Sequence, residues 1–203
     1  MMRLADRSKR IHEHLAALDG LPWLEGERVR LRAPQAEDID PLFALFSDPE
    51  VMRYWSRDPM VERVEAIAYI QSIIDGFVKR ELLNWIIADR ADDVMIGTCT
   101  LYDLQPQHLR AGIGYALSPA RQGGGLAREA VSLALDWAFG DLQLHRVEAD
   151  IEPRNLSSEK LLRVLGFQSE GLLRERFCTS SEIQHSMVFG LLAREWSEAP
   201  DTP

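Results

Sequence analysis

The stretch "PARQGGGLARE" spans residues 119–129 and sets Gly123, Gly124 and Gly125 side by side at the entrance of a segment patterned as a helix. Glycine inside a helix costs about 1 kcal/mol against alanine, so three together need a reason. One reason is a ligand. A helix N-terminus offers free backbone N–H groups and a partial positive charge, which together can hold a phosphate. Glycines ahead of it allow close approach and positive φ. The other reason is plain geometry, a flexible turn with a glycine-rich cap. The stretch lacks the Lys-Ser/Thr of a Walker loop and the GxGxxG of a leading βαβ unit. Taken alone, it leaves both readings open.

The segments around it alternate between two periods. Downstream, "LAREAVSLALDWAF" places Arg128, Ser132 and Asp136 four residues apart, with Ala130, Val131, Ala134 and Trp137 on the buried side of a helix. "HRVEADIEP" alternates as a strand, Val147, Ala149 and Ile151 inward, Arg146, Glu148 and Asp150 outward. "SSEKLLRVLGF" reads as a short helix ending at Gly166, a left-handed cap. The hairpin segment "RERFCTSSE" and the strand "IQHSMVFGLLAREW" follow. Upstream, "NWIIADR", "DVMIGTCTLYDL" and "RAGIGYALS" read as three antiparallel strands. "VERVEAIAYIQSIIDGF" reads as a helix burying Val64, Ile67, Ile70 and Ile74. "EDIDPLFALFSDPEVMRYW" reads as a helix around Leu42, Leu45 and Phe46 that stops near Pro49. Val29 and Leu31, between arginines, mark a first strand. Residues 1–20 read as a short helical extension, with Ile11, Leu15 and Leu18 at helical spacing, ahead of one domain over 21–203. The sum is a mixed α/β fold with one central sheet.

The 203 residues are 46% apolar and 27% charged, as in ordinary globular proteins. No apolar run reaches the ~18 residues of a membrane span, and the charged N-terminus lacks the apolar centre of a signal peptide. Cys99 and Cys178, the two cysteines, show no metal spacing. They point to a reducing, cytoplasmic setting, with a Cys99–Cys178 disulfide as the alternative. A net charge of -9 argues against general nucleic-acid binding. It suits a cationic partner such as an amine, or simple solubility.

"QGGGLA" resembles the acyl-CoA loop of the GNAT superfamily of N-acetyltransferases, with Gln122, Gly125 and Ala127 on the positions of its Q/R-x-x-G-x-G/A motif. "GERVRLRAPQAEDIDPLFALFSDPEVMRYW", "IGYALSPARQGGGLAREAV", "HRVEADIEPRNLSSEKLLRVLGFQSEGLLRE" and "VFGLLAREW" resemble its RimJ/RimL-like branch, which acetylates protein N-termini among other amines. The resemblance covers roughly residues 21–196 and implies the GNAT fold, with two strands splaying into a V. Acetyl-CoA as co-substrate would lie in that V and no metal would be needed. Its pantetheine arm would pair near Leu117 and Ser118. Its pyrophosphate would take N–H groups from Gln122, Gly123, Gly124, Gly125, Leu126, Ala127 and Arg128. Asn155 matches the Asn of the family's "N-x-x-S" and would face the CoA arm or cap the following helix. Ser158 would lie near the thiol. Dimers are frequent among such enzymes, so a homodimer is among the implied states.

Three positions depart from the family pattern. The glutamate many relatives carry before "IGY" is Gly112, the tyrosine four residues before the final "GF" is Leu162, and a common Asp near the last strand is His185. His185, with a ring pKa near the working range, becomes the candidate base, and Ser158 the candidate proton relay. Glu81 and Glu148 are acidic alternatives that spacing does not single out. Trp55, Trp85 and Tyr102 are candidates to line an acceptor pocket. A lysine amine is only roughly 0.1% neutral at pH 7.5, whereas a protein α-amine is roughly one third neutral. Loss of a dedicated base therefore favours an α-amine acceptor, of a peptide or a small molecule, over a lysine or polyamine. A small-molecule amine (antibiotic, amino acid or polyamine) and a non-catalytic acyl-CoA-binding module stand as the alternatives.

Overall fold

Runs of period two become strands and runs of helical period become helices throughout residues 3–197, which the computed structural model describes. The chain opens with helix α1 (Leu4–Ala17), then strands β1 (Leu24–Glu25) and β2 (Val29–Arg32). Helices α2 (Ile39–Ser47), α3 (Pro49–Met52) and α4 (Arg63–Val78) follow. Strands β3 (Leu83–Asp89), β4 (Met95–Gln105) and β5 (Arg110–Leu117) lead into helix α5 (Leu126–Phe139). Strand β6 (Arg146–Ile151), helix α6 (Leu156–Val164), strands β7 (Gln168–Cys178) and β8 (Ile183–Leu192) and helix α7 (Ala193–Ser197) complete it.

The eight strands form one sheet in the order β1-β2-β3-β4-β5-β6-β8-β7. Every neighbouring pair is antiparallel except β5 with β6. That parallel pair joins only Arg110 to Arg146, Ala111 to Val147 and Gly112 to Glu148. Beyond the seam β5 runs on to Leu117 and β6 to Ile151 with no pairing between them. This is the expected V.

One face of the sheet carries α1, α5 and α6 over a large core that includes Ile11, Leu15, Trp85, Ala130, Val131, Trp137 and Leu162. The other carries α2, α3 and α4 over a smaller core around Leu42, Phe46, Met52, Ala66 and Ile86. Between them Arg32 is buried against Asp38, Nη1 to Oδ2 at 2.7 Å. The first segment is part of this packing: Ile11 and Leu15 are buried, and the His14 ring meets Trp137 edge-on at 5.8 Å. None of its residues lines the main pocket. The outer ends of the two expected ranges, residues 1–2 and 198–203, lie outside the described residues.

One local expectation changes. Helix α4 turns Ala66, Ile73 and Gly76 inward, while Val64, Ile67 and Ile74 are exposed. The helix is apolar on several sides, and its small residues decide which side packs. A β-carbon on Gly76 would stand 2.7 Å from Leu82 Cγ, so this face alone comes so close. The helix around Leu42, Leu45 and Phe46 stops at Ser47, just before Pro49, as expected; Pro49 then opens the separate α3, with Asp48 accepting from the Glu50 N–H at 2.8 Å, as suits a proline at the first helical position. The segment after α6 is a full strand, β7, paired with β8 in a long hairpin.

Candidate active site

Gly123 and Gly125 both adopt φ +80, which costs an L-residue roughly 1–2 kcal/mol. Gly124 has ordinary φ, and a β-carbon there would meet open space. The Gln122 N–H is taken by the Pro119 carbonyl at 3.2 Å, so it is not a ligand donor. Its side-chain amide donates to the Leu117 carbonyl at 2.9 Å and pins the loop to the end of β5. The N–H groups of Gly123 through Ala127 have no acceptor among the described residues. They lie at and just before the start of α5, with Arg128 at its third position, where free N–H groups suit an anion.

A second anchor holds the cradle from below. Arg28 Nη1 donates to the Gly124 carbonyl at 2.8 Å, and its Nε to Glu129 Oε2 at 2.9 Å. Glu129 also accepts from the Arg28 and Val29 N–H groups at 2.7 and 3.2 Å. Burial alone would raise the Glu129 carboxyl. The two backbone N–H groups and the Arg28 guanidinium outweigh it and hold the carboxyl below its usual range.

Along β5 the backbone divides between two tasks. The Ser118 N–H donates to the Ile96 carbonyl at 2.8 Å, so Ser118 is committed to β4 and does not serve the V by its N–H. The Leu117 carbonyl is likewise committed to Gln122. Strand alternation turns the N–H groups of Leu117 and Tyr115 the other way, into the splay, while that of Ile113 belongs to the last pair of the seam.

The splay opens into a cavity of about 580 Å³. Its lining includes Asn155, Ser158 and Tyr115 as well as Tyr54, Trp55, Tyr102, Phe177 and His185. The loop at 122–128 lies outside its lining, at the far end of β5. Asn155 caps α6: its Oδ1 accepts from the Ser158 N–H at 3.1 Å and the Ser157 hydroxyl at 2.9 Å. Its Nδ2 is left to face the cavity. The Ser158 hydroxyl pairs with the Tyr115 hydroxyl at 2.9 Å. Burial pushes the Tyr115 phenol up to about 12, so it stays protonated at neutral pH. Tyr115 is a site residue the sequence reading missed; its partner is 43 positions away.

The acceptor end differs from expectation in two ways. Trp55 and Tyr102 line the cavity, but Trp85 does not. It is fully buried beneath the sheet, with its indole N–H on the Pro22 carbonyl at 2.8 Å and its ring edge-on to Trp137. Fit to the core outranks any pocket role for so large an apolar ring. His185 does line the cavity, yet its Nδ1 accepts from the Glu175 N–H at 2.8 Å. The neutral ring then carries its proton on Nε2, a donor, and the lone pair a base needs is already engaged. Leu162 is buried in the core and leaves no acid at its position.

Gly112 explains where the family's glutamate has gone. Tyr102 lies directly across from it in the β4–β5 register. A β-carbon on Gly112 would stand 2.5 Å from both Cε2 and Cζ of that ring. The phenol occupies the place of a side chain at 112. Burial, and then the charges of Asp150, Glu148 and Asp103, push it up to about 12. At position 112 itself the wall is therefore a phenol ring rather than a carboxylate.

Comparison with known proteins agrees with this architecture. Residues 28–168 match the family described as "Acetyltransferase (GNAT) domain". The chain is 38% identical over 171 residues to the Bacillus licheniformis protein named "Uncharacterized N-acetyltransferase p20", covering 84% of this chain and 96% of that one. It is 26% identical over 175 residues to the spermidine N(1)-acetyltransferase of Escherichia coli K12, covering 86% and 91%. Among solved structures, Mycobacterium smegmatis RimJ in complex with CoA-disulfide superposes with a TM-score of 0.77 at 22% identity, covering 90% of this chain and 91% of that one. Over a stretch that includes seam, loop and α6 alike, then, the chain belongs to the GNAT acetyltransferases and is an N-acetyltransferase.

Proposed function

We propose that the protein transfers an acetyl group from acetyl-CoA to a primary amine, with the α-amine of a peptide N-terminus as its best acceptor, in the manner of the RimJ/RimL-like branch. The observation that carries the acceptor choice is the Tyr102 ring standing over Gly112. With no carboxylate there, the site favours an amine already partly neutral near pH 7, and an α-amine meets that condition far better than a lysine.

Acetyl-CoA supplies an acetyl group activated as a thioester. The N–H groups of Gly123, Gly124, Gly125, Leu126 and Ala127 would hold its pyrophosphate, and the inward N–H groups of β5 its pantetheine arm. Asn155 Nδ2 faces the same arm. The N–H of β5 nearest the reacting carbonyl would polarise it. Ser158, hydrogen-bonded to a phenol that stays protonated, would return a proton to the departing thiolate. Holding amine and thioester in line can supply several kcal/mol of the barrier, which reduces the demand on a base. RimJ bound to CoA-disulfide shares the fold, in keeping with this placement.

A second reading is favoured by the carboxylates Asp103, Glu148 and Asp150 in the lining: a polyamine acceptor. A Vibrio cholerae spermidine N-acetyltransferase solved with CoA and spermine has the same fold, with a TM-score of 0.75 at 24% identity, covering 85% of this chain and all of that one. Incubation with acetyl-CoA and a panel of peptides, polyamines, amino acids and aminoglycosides, scored by mass spectrometry, tests both. Acetylated peptide N-termini are expected; acetylated spermidine alone would select the second reading, and acetyl-CoA binding without any product would reject both.

A further inference from the structure

The V is lined by four carboxylates, and three of them are already neutralised. Asp103 Oδ2 meets Arg110 at 3.1 Å. Glu148 meets Arg110 at 3.0 Å and Arg146 at 2.7 Å. Glu152 meets Arg154 at 2.8 Å. Asp150 differs. Its Oδ1 accepts from the Ser186 hydroxyl at 2.8 Å, and no cationic side chain among the described residues forms an ion pair with it.

The position of Asp150 is as distinctive as its charge. It lies two residues past the last β5–β6 pair, Gly112 with Glu148, so it stands inside the splay. Side chains alternate along a strand: Val147 and Ala149 go to the core, so Asp150 projects on the opposite face with Glu148. That is the face of Gly112 and of the Tyr102 ring above it. Two other groups on this side share the lining without forming an ion pair with it among the described residues. Arg176 lies over the Phe177 ring at 5.5 Å, and His185 is engaged by the Glu175 N–H.

We infer that Asp150 is the acceptor-binding carboxylate, the group on which the ammonium of the incoming amine docks against the Tyr102 wall. An unpaired carboxylate on the lining of a cavity selects cations, while Ser186 fixes one oxygen and leaves the other to the ligand. The inference rests on the proposed function and names the chemistry of its acceptor: an α-ammonium on arrival, acidic enough to pass its proton to solvent in the open V before the neutral nitrogen attacks. It also accounts for the use of serine rather than arginine beside this one carboxylate.

Asp150→Asn tests it, since the amide oxygen still accepts from Ser186 and only the charge is lost. The readout is equilibrium binding to the CoA-loaded protein by calorimetry, with L-alaninamide and spermidine as cationic probes and lactamide as the neutral counterpart. The variant is expected to bind L-alaninamide or spermidine at least tenfold more weakly, with CoA and lactamide affinities unchanged. In turnover, KM for the amine should rise more than kcat falls, and Asp150→Glu should restore part of the loss. Equal amine affinities in both proteins, or no amine binding by the wild type, overturn the inference. Failure of the proposed function shows separately, as wild-type protein that binds an amine but acetylates none.

Discussion

Tyr102 fills the space above Gly112: the two face each other across β4 and β5, and a single added β-carbon would sit 2.5 Å from the phenol ring. Gly112→Ala should therefore destabilise the fold by about 1–3 kcal/mol through overpacking. Combined with Tyr102→Ala it should be far less harmful, with a coupling of about 0.5–3 kcal/mol. Urea unfolding of the two single variants and the double variant measures this. Additive losses would mean the ring turns aside freely.

The three loop glycines should separate into two kinds. Gly125→Ala places an L-residue at φ +80 beside Arg28 Nη2 at 3.3 Å and should cost about 1–2 kcal/mol. Gly124→Glu meets no neighbour in the fold. It should melt as the wild type does, yet lose most of its acetyl-CoA affinity in a calorimetric titration. A folded Gly124→Glu protein with unchanged affinity would move the pyrophosphate elsewhere.

Glu129 gives the protein an acid-side sensitivity. Its carboxyl is held below the usual range in the fold and returns to about 4.3 on unfolding. The stability it contributes is therefore complete above about pH 4.3 and fades as pH falls through the lower folded value. Unfolding free energies between pH 6 and pH 3 should decline less steeply in Glu129→Gln, which starts from a lower plateau. Because Glu129 holds Arg28, and Arg28 holds the Gly124 carbonyl, the same variant should also bind acetyl-CoA more weakly.

Ser158 and Tyr115 should act unequally. Ser158→Ala removes the hydroxyl placed at the thiol end and should lower kcat about 100-fold, the lower range for general acid catalysis. Tyr115→Phe removes only its partner and should cost less. His185→Ala should leave the acidic limb of the kcat/KM profile in place, since its Nδ1 is occupied by the Glu175 N–H. A lost limb would restore His185 as the base.

What could be read from the sequence follows from how local the information is. The buried face of α5 and the alternation of "HRVEADIEP" are written in neighbouring residues, and the structure repeats them. Strand β7 is exposed along nearly its whole length, so it has no inside and outside to alternate and carries no pattern. Helix α4 is apolar on several sides, and only the close approach of Leu82 to Gly76 picks one. At the site, Asn155, Ser158 and Tyr102 follow from motif position or residue type. The pairing of Tyr115 with Ser158 and of Tyr102 with Gly112 depends on strand register and crossover. Trp85 shows the complementary failure: an aromatic residue's type does not tell a cavity wall from a core.

The short β5–β6 seam has one further consequence. An open sheet has two edges, and here β1 and β7 supply them. Past Gly112 and Glu148 the sheet divides and acquires two more, along Ile113–Leu117 and Ala149–Ile151, in the interior of the molecule. Unpaired strand edges invite extension by another chain, yet these lie in a cleft too confined for one. A narrow, extended amide-bearing ligand is the shape that completes them. In the placement proposed above, the co-substrate arm would act as a missing strand, and the protein should be more cohesive with it than without. Saturation at about a hundredfold its Kd would add about 2.7 kcal/mol to the folded state, with the gain in amide protection falling along the two inner edges.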